Sequence, residues 1–303
     1  MIDQPVFVAG LDRTGKTPMR IALEAHADVA FSRRTELWTR HFGRYGDLGL
    51  DRRARRAVTG LIGDRHVAQL VVDPSRLMRD FLAGPRSYGY LFALVGRQHA
   101  ERLGRSRWGD QTALVERHAD AILECFPNAR FIHMVRDPRD RYAATNDSAG
   151  VGPGGLGAAC AAWNESSALA RANATAHGSS YLVVRYEDLA QDPVPTISRA
   201  LEHIGATSTP GNAPPASPAL AAGVGAYRDA VPPRSIALIE AAARDGMRAF
   251  HYEPTMTDLE PIDRLRLTLI DRPWARATGA ASRLARVWRA AQRRTGAGLA
   301  GRS

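Results

Sequence analysis

A glycine-rich segment near the N-terminus carries residue types that bind phosphate. Residues 10–17 read GLDRTGKT, which is a glycine, four residues, and then Gly-Lys-Thr. Glycines let the backbone wrap an anion, backbone amides and a helix N-terminus point at it, and a lysine reaches its oxygens. Lys16 is also the only lysine among 41 basic residues, since all the others are arginines. The segment predicts a phosphate-binding loop but does not identify the reaction.

The elements around this loop are those that such a loop requires. Residues 6–9 (VFVA) form a predicted buried strand, and a helix follows the loop, with Pro18 in its first turn. Further strands are predicted at residues 131–135 and 181–184, each after a helical segment. Strands separated by helices pair in parallel through crossover connections. We therefore predict an α/β fold, a parallel β-sheet flanked by helices in three layers.

The rest of the chain indicates one main domain with additions. We assign residues 1–256 to the α/β domain, with a helical insertion over the sheet at about residues 38–108, and residues 257–303 to a basic C-terminal extension that we expect to be helical. Within it, residues 275–294 predict a helix with a weak apolar side. Packing on its own domain or on an oligomer partner is favoured for this helix, and peripheral membrane contact is the alternative. The oligomeric state stays open.

Charge and composition restrict the classes of function. The formal net charge of +10 suits anionic partners such as nucleotides. Short arginine clusters such as residues 52–56 are typical of a solvated face, so we expect no specific nucleic-acid partner and leave a non-enzymatic polyanion-binding protein as a minor alternative. The sequence has no run of about 18 apolar residues, which a membrane-spanning helix would need. It has only two cysteines, too few for a framework of disulfides. We expect a cytoplasmic protein.

Four segments, in order, carry a resemblance to a known family. They are residues 12–17 (DRTGKT), 108–112 (WGDQT), 126–140 (FPNARFIHMVRDPRD) and 184–189 (VRYEDL). Together they resemble the bacterial sulfotransferases, whose fold is related to that of P-loop kinases. The resemblance implies transfer of a sulfuryl group from 3′-phosphoadenosine 5′-phosphosulfate (PAPS) to a hydroxyl of a small-molecule, glycan or lipid acceptor, without an obligatory metal.

The resemblance also implies roles for individual residues. Lys16 and Arg13 would stabilise the charge that develops on the departing nucleotide. Arg136 would bind the 3′-phosphate, and Tyr186 would lie against adenine. Without the resemblance, packing in the core is an equal alternative role for Tyr186. The 5′-phosphosulfate would be held by the loop residues Arg13, Thr14, Gly15, Lys16 and Thr17.

Two departures from the family pattern leave an alternative open. The family normally has threonine where this chain has Lys16, and a serine where this chain has Ala144, next to Thr145. The lysine completes a kinase-type loop, and the alanine removes a hydroxyl that would bind the 3′-phosphate, although Thr145 could replace it. The alternative is an ATP-dependent phosphotransferase, in which Thr17 would hold magnesium.

The acceptor hydroxyl needs a base, and two carboxylates are candidates. Glu36 lies where many bacterial relatives carry the catalytic carboxylate. Nearby arginines lower the pKa of a carboxylate and make it a weak base unless burial opposes this shift. An ion pair with Arg33 or Arg34 is therefore an equal alternative role for Glu36. Asp110 is the second candidate, and a loop-fixing role through backbone amides is an equal reading of it.

Overall fold

The computed structural model describes residues 4–149, 155–206 and 221–255. The chain divides into two compact units. The first contains Met1–Arg136 and Ala168–Val224, and the second contains Asp137–Ser167 and Gly225–Ser303. Each unit is described by itself over its described residues.

A five-stranded sheet forms the centre of the first unit. Its strands are β1 (Val6–Ala9), β2 (Val29–Arg33), β3 (Arg107–Gln111), β4 (Arg130–Val135) and β5 (Tyr181–Arg185). They lie in the order β2-β3-β1-β4-β5, and every neighbouring pair is parallel. The predicted α/β fold with a helix-flanked parallel sheet is confirmed. The three strands predicted from sequence are β1, β4 and β5, whereas β2 and β3 were not predicted.

The helices in the described part of the chain are, in chain order, α1 (Lys16–His26), α2 (Asp51–Ile62), α3 (Arg65–Ala68), α4 (Pro74–Ala83), α5 (Tyr88–Arg102), α6 (Ala119–Cys125), α7 (Pro138–Ala149), α8 (Gly155–His177), α9 (Tyr186–Gln191), α10 (Pro193–His203), α11 (Tyr227–Ala230) and α12 (Pro233–Ala249). A π-helix spans Leu37–His41, and 3₁₀ turns span Val115–His118 and Gly178–Ser180. None of these described helices has the length and apolarity needed to cross a bilayer.

Both faces of the sheet are buried, as expected for parallel strands covered by helices. Successive side chains of a strand point to opposite faces. Val6 and Val8 accordingly join a core cluster with Met19 of α1, while Phe7 and Ala9 join the other, larger cluster. All four residues of β1 are fully buried. The loop that follows β1 therefore starts from a fixed point in the core.

Helices α2 to α5 occupy most of the segment predicted as a helical insertion. Residues 107 and 108, at its predicted end, belong instead to β3. Trp108 is buried edge-on against Phe7 and Phe126, which explains why this polar-looking segment is a core strand. The predicted helix at residues 275–294 and the extension from residue 257 lie outside the described residues.

The second unit has a small core and a buried charge cluster. Leu156, Cys160, Tyr227 and Ile239 belong to its core. The Arg139 guanidinium, which is 4% exposed, donates to Asp137 and to Glu240. Burial opposes the charge, but the two carboxylates more than compensate and raise the pKa of Arg139. This cluster is a set of paired charges within the unit.

Candidate functional site

The carboxyl ends of parallel strands meet at one edge of a sheet, which is where α/β proteins bind ligands. In the first unit this edge carries the residues after β1, β2, β3 and β4. These are the phosphate loop, the segment leading to Glu36, Thr112, and Arg136. The fold thus brings the sequence-predicted residues of the first unit to a common edge.

Two glycines give the phosphate loop its shape. Gly10 has φ 110°, and a Cβ there would lie 2.4 Å from the carbonyl oxygen of Met134. Gly15 has φ 90°, and a Cβ there would lie 2.6 Å from the Cδ2 atom of Tyr186. Any side chain would therefore be strained and would clash. The glycines are required by the close approach of the loop to β4 and α9.

The backbone amides of the loop are available for a ligand. The amide of Gly10 donates to Oε2 of Glu116 at 3.2 Å. For residues 13–16, by contrast, the structure shows no hydrogen bond from a backbone amide to any described residue. Residue 16 is also the first residue of α1, whose N-terminus favours negative charge. This arrangement is suited to an oxyanion.

Lys16 lies inside the loop. Its Nζ donates to the carbonyl of Gly10 at 2.8 Å and is 3.5 Å from Oδ1 of Asp12, and its side chain is 4% exposed. Burial lowers the pKa of Lys16, while Asp12 and Glu116 oppose this shift. An anion in the loop would offset the cost of burying this charge.

The remaining loop residues differ in exposure. Thr14 is buried, and its hydroxyl donates to the carbonyl of Leu11 at 2.8 Å. Thr17 and Arg13 are exposed, and the hydroxyl of Thr17 accepts from Nε2 of Gln111 at 3.1 Å. Arg13 has φ 69°, so the turn places a non-glycine residue in the left-handed region. Across the described ranges, no group of three or more His, Cys, Asp or Glu residues could hold a metal ion.

Arg136 and Tyr186 pack against the loop. Two nitrogens of the Arg136 guanidinium donate to the carbonyls of Arg13 at 3.0 Å and Gly223 at 2.6 Å. The same guanidinium lies 4.2 Å from the centre of the Tyr186 ring. Tyr186 is only 5% exposed, because Gly15 also lies against its ring. This geometry favours the core-packing interpretation of Tyr186, and its contact with adenine stays a prediction.

Glu36 is partly exposed and lies between basic side chains. Its backbone is left-handed, with φ 56°, and its amide donates to the hydroxyl of Thr112. Its carboxylate is 3.4 Å from Arg40 and 3.7 Å from Nε2 of His66, and the side chain is 30% exposed. Arg40 is therefore the ion-pair partner of Glu36, and among the described residues no ion pair joins Glu36 to Arg33 or Arg34, the partners left open from sequence.

Side chains of β2 and of the segment that follows it hold the Asp110 carboxylate in place. Its Oδ1 accepts from the hydroxyls of Ser32 and Thr35, each at 3.0 Å, and the residue is 1% exposed. Burial raises its pKa, although these hydroxyls oppose the shift. The carboxylate thus bonds side-chain hydroxyls that precede Glu36, together with the backbone amide of Thr35. This geometry favours a role in positioning the end of β2.

The comparisons with known proteins bear on this arrangement of loop and sheet. A family model described as "Sulfotransferase family" matches residues 5–210, more than half of the chain. The chain belongs to the sulfotransferase family. The resemblance read from the four sequence segments is confirmed, and sulfuryl transfer is the activity of its class. No match was found among curated proteins.

Solved structures share the fold of this sulfotransferase. The sulfotransferase domain of the Synechococcus PCC 7002 olefin synthase is 19% identical with a TM-score of 0.54, and the match covers 84% of this chain and 97% of that domain. The sulfotransferase domain of the curacin biosynthetic pathway is 15% identical with a TM-score of 0.53, over 83% and 99% of the two chains. At this identity the likeness shows the fold alone.

The second departure from the family pattern, Ala144 in place of a serine, lies in the second unit of this sulfotransferase. Ala144 and Thr145 lie in α7, and the hydroxyl of Thr145 donates to the carbonyl of Arg141 at 2.7 Å. Asp140, in the segment resembling the 3′-phosphate stretch, accepts from the amides of Gly225 and Tyr227. Asp140 therefore has a structural role within its unit. Binding of a 3′-phosphate by Thr145 stays a prediction.

A buried polar network behind the loop was not found from sequence. Glu116 is 1% exposed, contacts the Gly10 amide, and lies 4.0 Å from Nε2 of His133. Nδ1 of His133 is 2.7 Å from the Tyr181 hydroxyl, which also accepts from Asn173 at 3.3 Å. The only local signal was a histidine in the otherwise apolar strand β4. The sequence around Glu116 carries no such signal, because it looks like an ordinary turn.

Proposed function

We propose that this sulfotransferase transfers a sulfuryl group from PAPS to a hydroxyl of a small-molecule, glycan or lipid acceptor. The observation that carries the proposal is the loop after β1. Its amides at residues 13–16 make no hydrogen bond to a described residue, and Lys16 lies within it. Such a loop fits the 5′-phosphosulfate of the donor.

The residues present fit the anionic part of the donor. When bound, PAPS supplies a sulfuryl group on a phosphosulfate bridge whose cleavage leaves negative charge on the nucleotide. Lys16, now 2.8 Å from the Gly10 carbonyl, would exchange that contact for an anion oxygen, and Arg13 adds an exposed cation. Interactions that strengthen as charge develops lower the barrier. Thr14 and Thr17 would contribute hydroxyls to the 5′-phosphate.

Arg136 is proposed to bind the 3′-phosphate. Its guanidinium is linked to the loop through the Arg13 carbonyl and stacks on Tyr186, so it is held beside the 5′-phosphate site. A planar guanidinium can bind two phosphate oxygens at once. The ring of Tyr186 contacts both Arg136 and Gly15, and adenine would lie near this group.

Glu36 is proposed to accept the proton of the acceptor hydroxyl. It is 30% exposed, whereas Asp110 is 1% exposed and faces Ser32 and Thr35. An acceptor can therefore reach Glu36 more readily. Arg40 holds its carboxylate in place, and an acceptor that displaces Arg40 would strengthen Glu36 as a base.

Binding of nucleotides tests the donor without knowledge of the acceptor. Adenosine 3′,5′-bisphosphate should raise the melting temperature, because a ligand that binds only the folded state stabilises it. ADP, with or without magnesium, should raise it much less. Stabilisation by ADP or ATP with magnesium, together with none by the bisphosphate, would instead support the kinase alternative and reject the proposal.

A further inference from the structure

A cavity of about 510 Å³ lies beside Glu36 in the first unit. Its walls come from the π-helix Leu37–His41, the segment after it, α2 and Asp64. The volume is in the range of small-molecule sites. The lining side chains that carry charge are those of Arg40, Arg44, Arg55, Arg56 and Asp64, with His41 and Tyr45 between them.

The carboxylate of Asp64 is already engaged. It accepts from the backbone amide of His66 at 2.8 Å, lies 3.1 Å from Nε2 of His41, and is 3.4 Å from Arg40. Burial lowers the pKa of His41, so this imidazole is held mainly as a neutral hydrogen-bonding group. Asp64 therefore offsets at most one arginine of the cavity.

Three arginines of the cavity remain without a carboxylate. No described residue forms an ion pair within 4.0 Å of Arg44, Arg55 or Arg56. Arg55 and Arg56 lie on α2, where the one acidic residue, Asp51, is engaged by Arg86. The cavity thus has an excess of positive charge, and guanidinium groups bind oxyanions through paired donors.

Hydrogen bonds join the polar side chains at the floor of the cavity. The hydroxyl of Tyr45 is 2.9 Å from Nδ1 of His41, and the amide of Tyr45 donates to the Tyr88 hydroxyl at 2.7 Å. A Cβ at Gly60 would lie 2.3 Å from the Tyr45 hydroxyl, so the glycine lets α2 approach this ring. A preorganised site of this kind reduces the entropy cost of binding.

We propose that this cavity binds an oxyanion of the acceptor, either a carboxylate, a sulfate or a phosphate. Arg40 connects it to the reaction, since this side chain lies 3.4 Å from both Asp64 in the cavity and Glu36. An acceptor anchored there by its anionic group would present its hydroxyl towards Glu36. The inference rests on the proposed function, in which Glu36 is the base.

Helix α2 offers a matched pair of variants. Arg55→Gln/Arg56→Gln removes two arginines that line the cavity, and Arg52→Gln/Arg53→Gln removes the same charge from exposed positions of the same helix that do not line it. The single variants Arg55→Gln and Arg56→Gln accompany the double, and thermal melting shows that each is folded before it is used.

Titration calorimetry with inorganic phosphate, inorganic sulfate and citrate tests the cavity, with and without saturating adenosine 3′,5′-bisphosphate. At least one probe should bind the wild type and Arg52→Gln/Arg53→Gln equally, and Arg55→Gln/Arg56→Gln about tenfold more weakly. Equal affinity in all three proteins, or no binding of any probe, would overturn the proposal. If the bisphosphate fails to bind while a probe does, only the donor assignment fails.

A second assay tests the link to the acceptor. Hydroxyl compounds are compared in pairs, one with and one without a carboxylate or phosphate, for sulfuryl transfer from PAPS. In Arg55→Gln/Arg56→Gln, kcat/KM for the charged member should fall about tenfold relative to Arg52→Gln/Arg53→Gln, mainly through KM, while the neutral member changes little. An equal fall for both members would show that the cavity does not recognise the anionic group.

Discussion

The phosphate loop and the cluster around Arg139 place buried cations in opposite situations. Arg139 is bonded to Asp137 and Glu240, and these carboxylates raise its pKa. Lys16 is as deeply buried, but its direct contacts are a carbonyl and one distant oxygen of Asp12, and burial lowers its pKa. The protein's own carboxylates outweigh the burial of Arg139 but only partly offset that of Lys16, and we propose that a bound anion supplies the rest.

This difference separates structural charge from functional charge. Removing one partner of a buried ion pair leaves the other uncompensated, so the cluster should matter for folding. Removing a cation that the protein compensates poorly should cost little stability and should affect the bound anion. The following predictions test this contrast, from the largest expected effect to the smallest.

Arg139→Ala should lower the free energy of unfolding by about 3–5 kcal/mol, because Asp137 and Glu240 would remain buried without their cation. Urea unfolding measures this. Arg244→Ala, which removes an exposed arginine of α12 in the same unit, is the control and should change it by less than about 0.5 kcal/mol. A loss below about 1 kcal/mol for Arg139→Ala would mean that the cluster is not the structural element described here.

Lys16→Ala should lower turnover by about 10²–10³-fold while the free energy of unfolding changes by less than about 1 kcal/mol. The physical reason is that Lys16 is held by Asp12 only at 3.5 Å and is proposed to face the charge that develops on the leaving nucleotide. Arg34→Ala is the matched control, since Arg34 contacts Asp12 at 2.8 Å on the surface, and it should keep turnover within about threefold. Normal turnover in Lys16→Ala would remove this residue from the mechanism.

Glu36→Gln should keep the affinity for adenosine 3′,5′-bisphosphate and lower turnover about a hundredfold, because glutamine preserves shape but accepts no proton. Calorimetry and a transfer assay measure the two quantities on the same protein. Asp110→Asn is compared at equal folded fraction, because Asp110 bonds Ser32 and Thr35 in the core. If Glu36→Gln is active and Asp110→Asn is not, the base is assigned to the wrong carboxylate.

The free energy of unfolding should fall between pH 7 and pH 6. Burial lowers the pKa of four histidines below the ordinary value of 6.5, namely His41, His99, His133 and His203. The unfolded chain therefore takes up more protons than the folded chain as the pH drops through 6.5. The stability that depends on neutral buried histidines is present above that pH and is lost below it. Urea titrations at several pH values measure this, and a flat profile would contradict the buried neutral state of these residues.

The sequence predicted the parts of the site that depend on local pattern. The phosphate loop, β1 and β4 could be predicted because glycine spacing and apolar runs are local signals, and α1 follows from the same pattern, although it begins at Lys16 rather than near Pro18. Strand β3 could not, because RWGDQ lacks a strand pattern and becomes core only where Trp108 packs on Phe7.

Long-range contacts explain the rest of what was missed. Glu36 pairs with Arg40, one helical turn away, and lies 3.7 Å from His66, thirty residues away; the adjacent arginines in the sequence indicated neither contact. Glu116 reaches Gly10 from 106 residues away, and no local feature marks it. Roles that depend on which distant side chain is buried nearby become visible only in the folded chain.

The most direct test of the donor uses labelled sulfur and labelled phosphorus in parallel. The protein is incubated with radioactive PAPS or radioactive ATP and a panel of neutral and anionic hydroxyl compounds, with and without a chelator of divalent metals. A sulfuryl group carries less charge than a phosphoryl group, and Lys16, Arg13 and the loop amides can stabilise the leaving nucleotide. We therefore expect transfer of labelled sulfur that the chelator leaves largely intact. Transfer of labelled phosphorus that the chelator abolishes, with no transfer of labelled sulfur, would contradict this assignment.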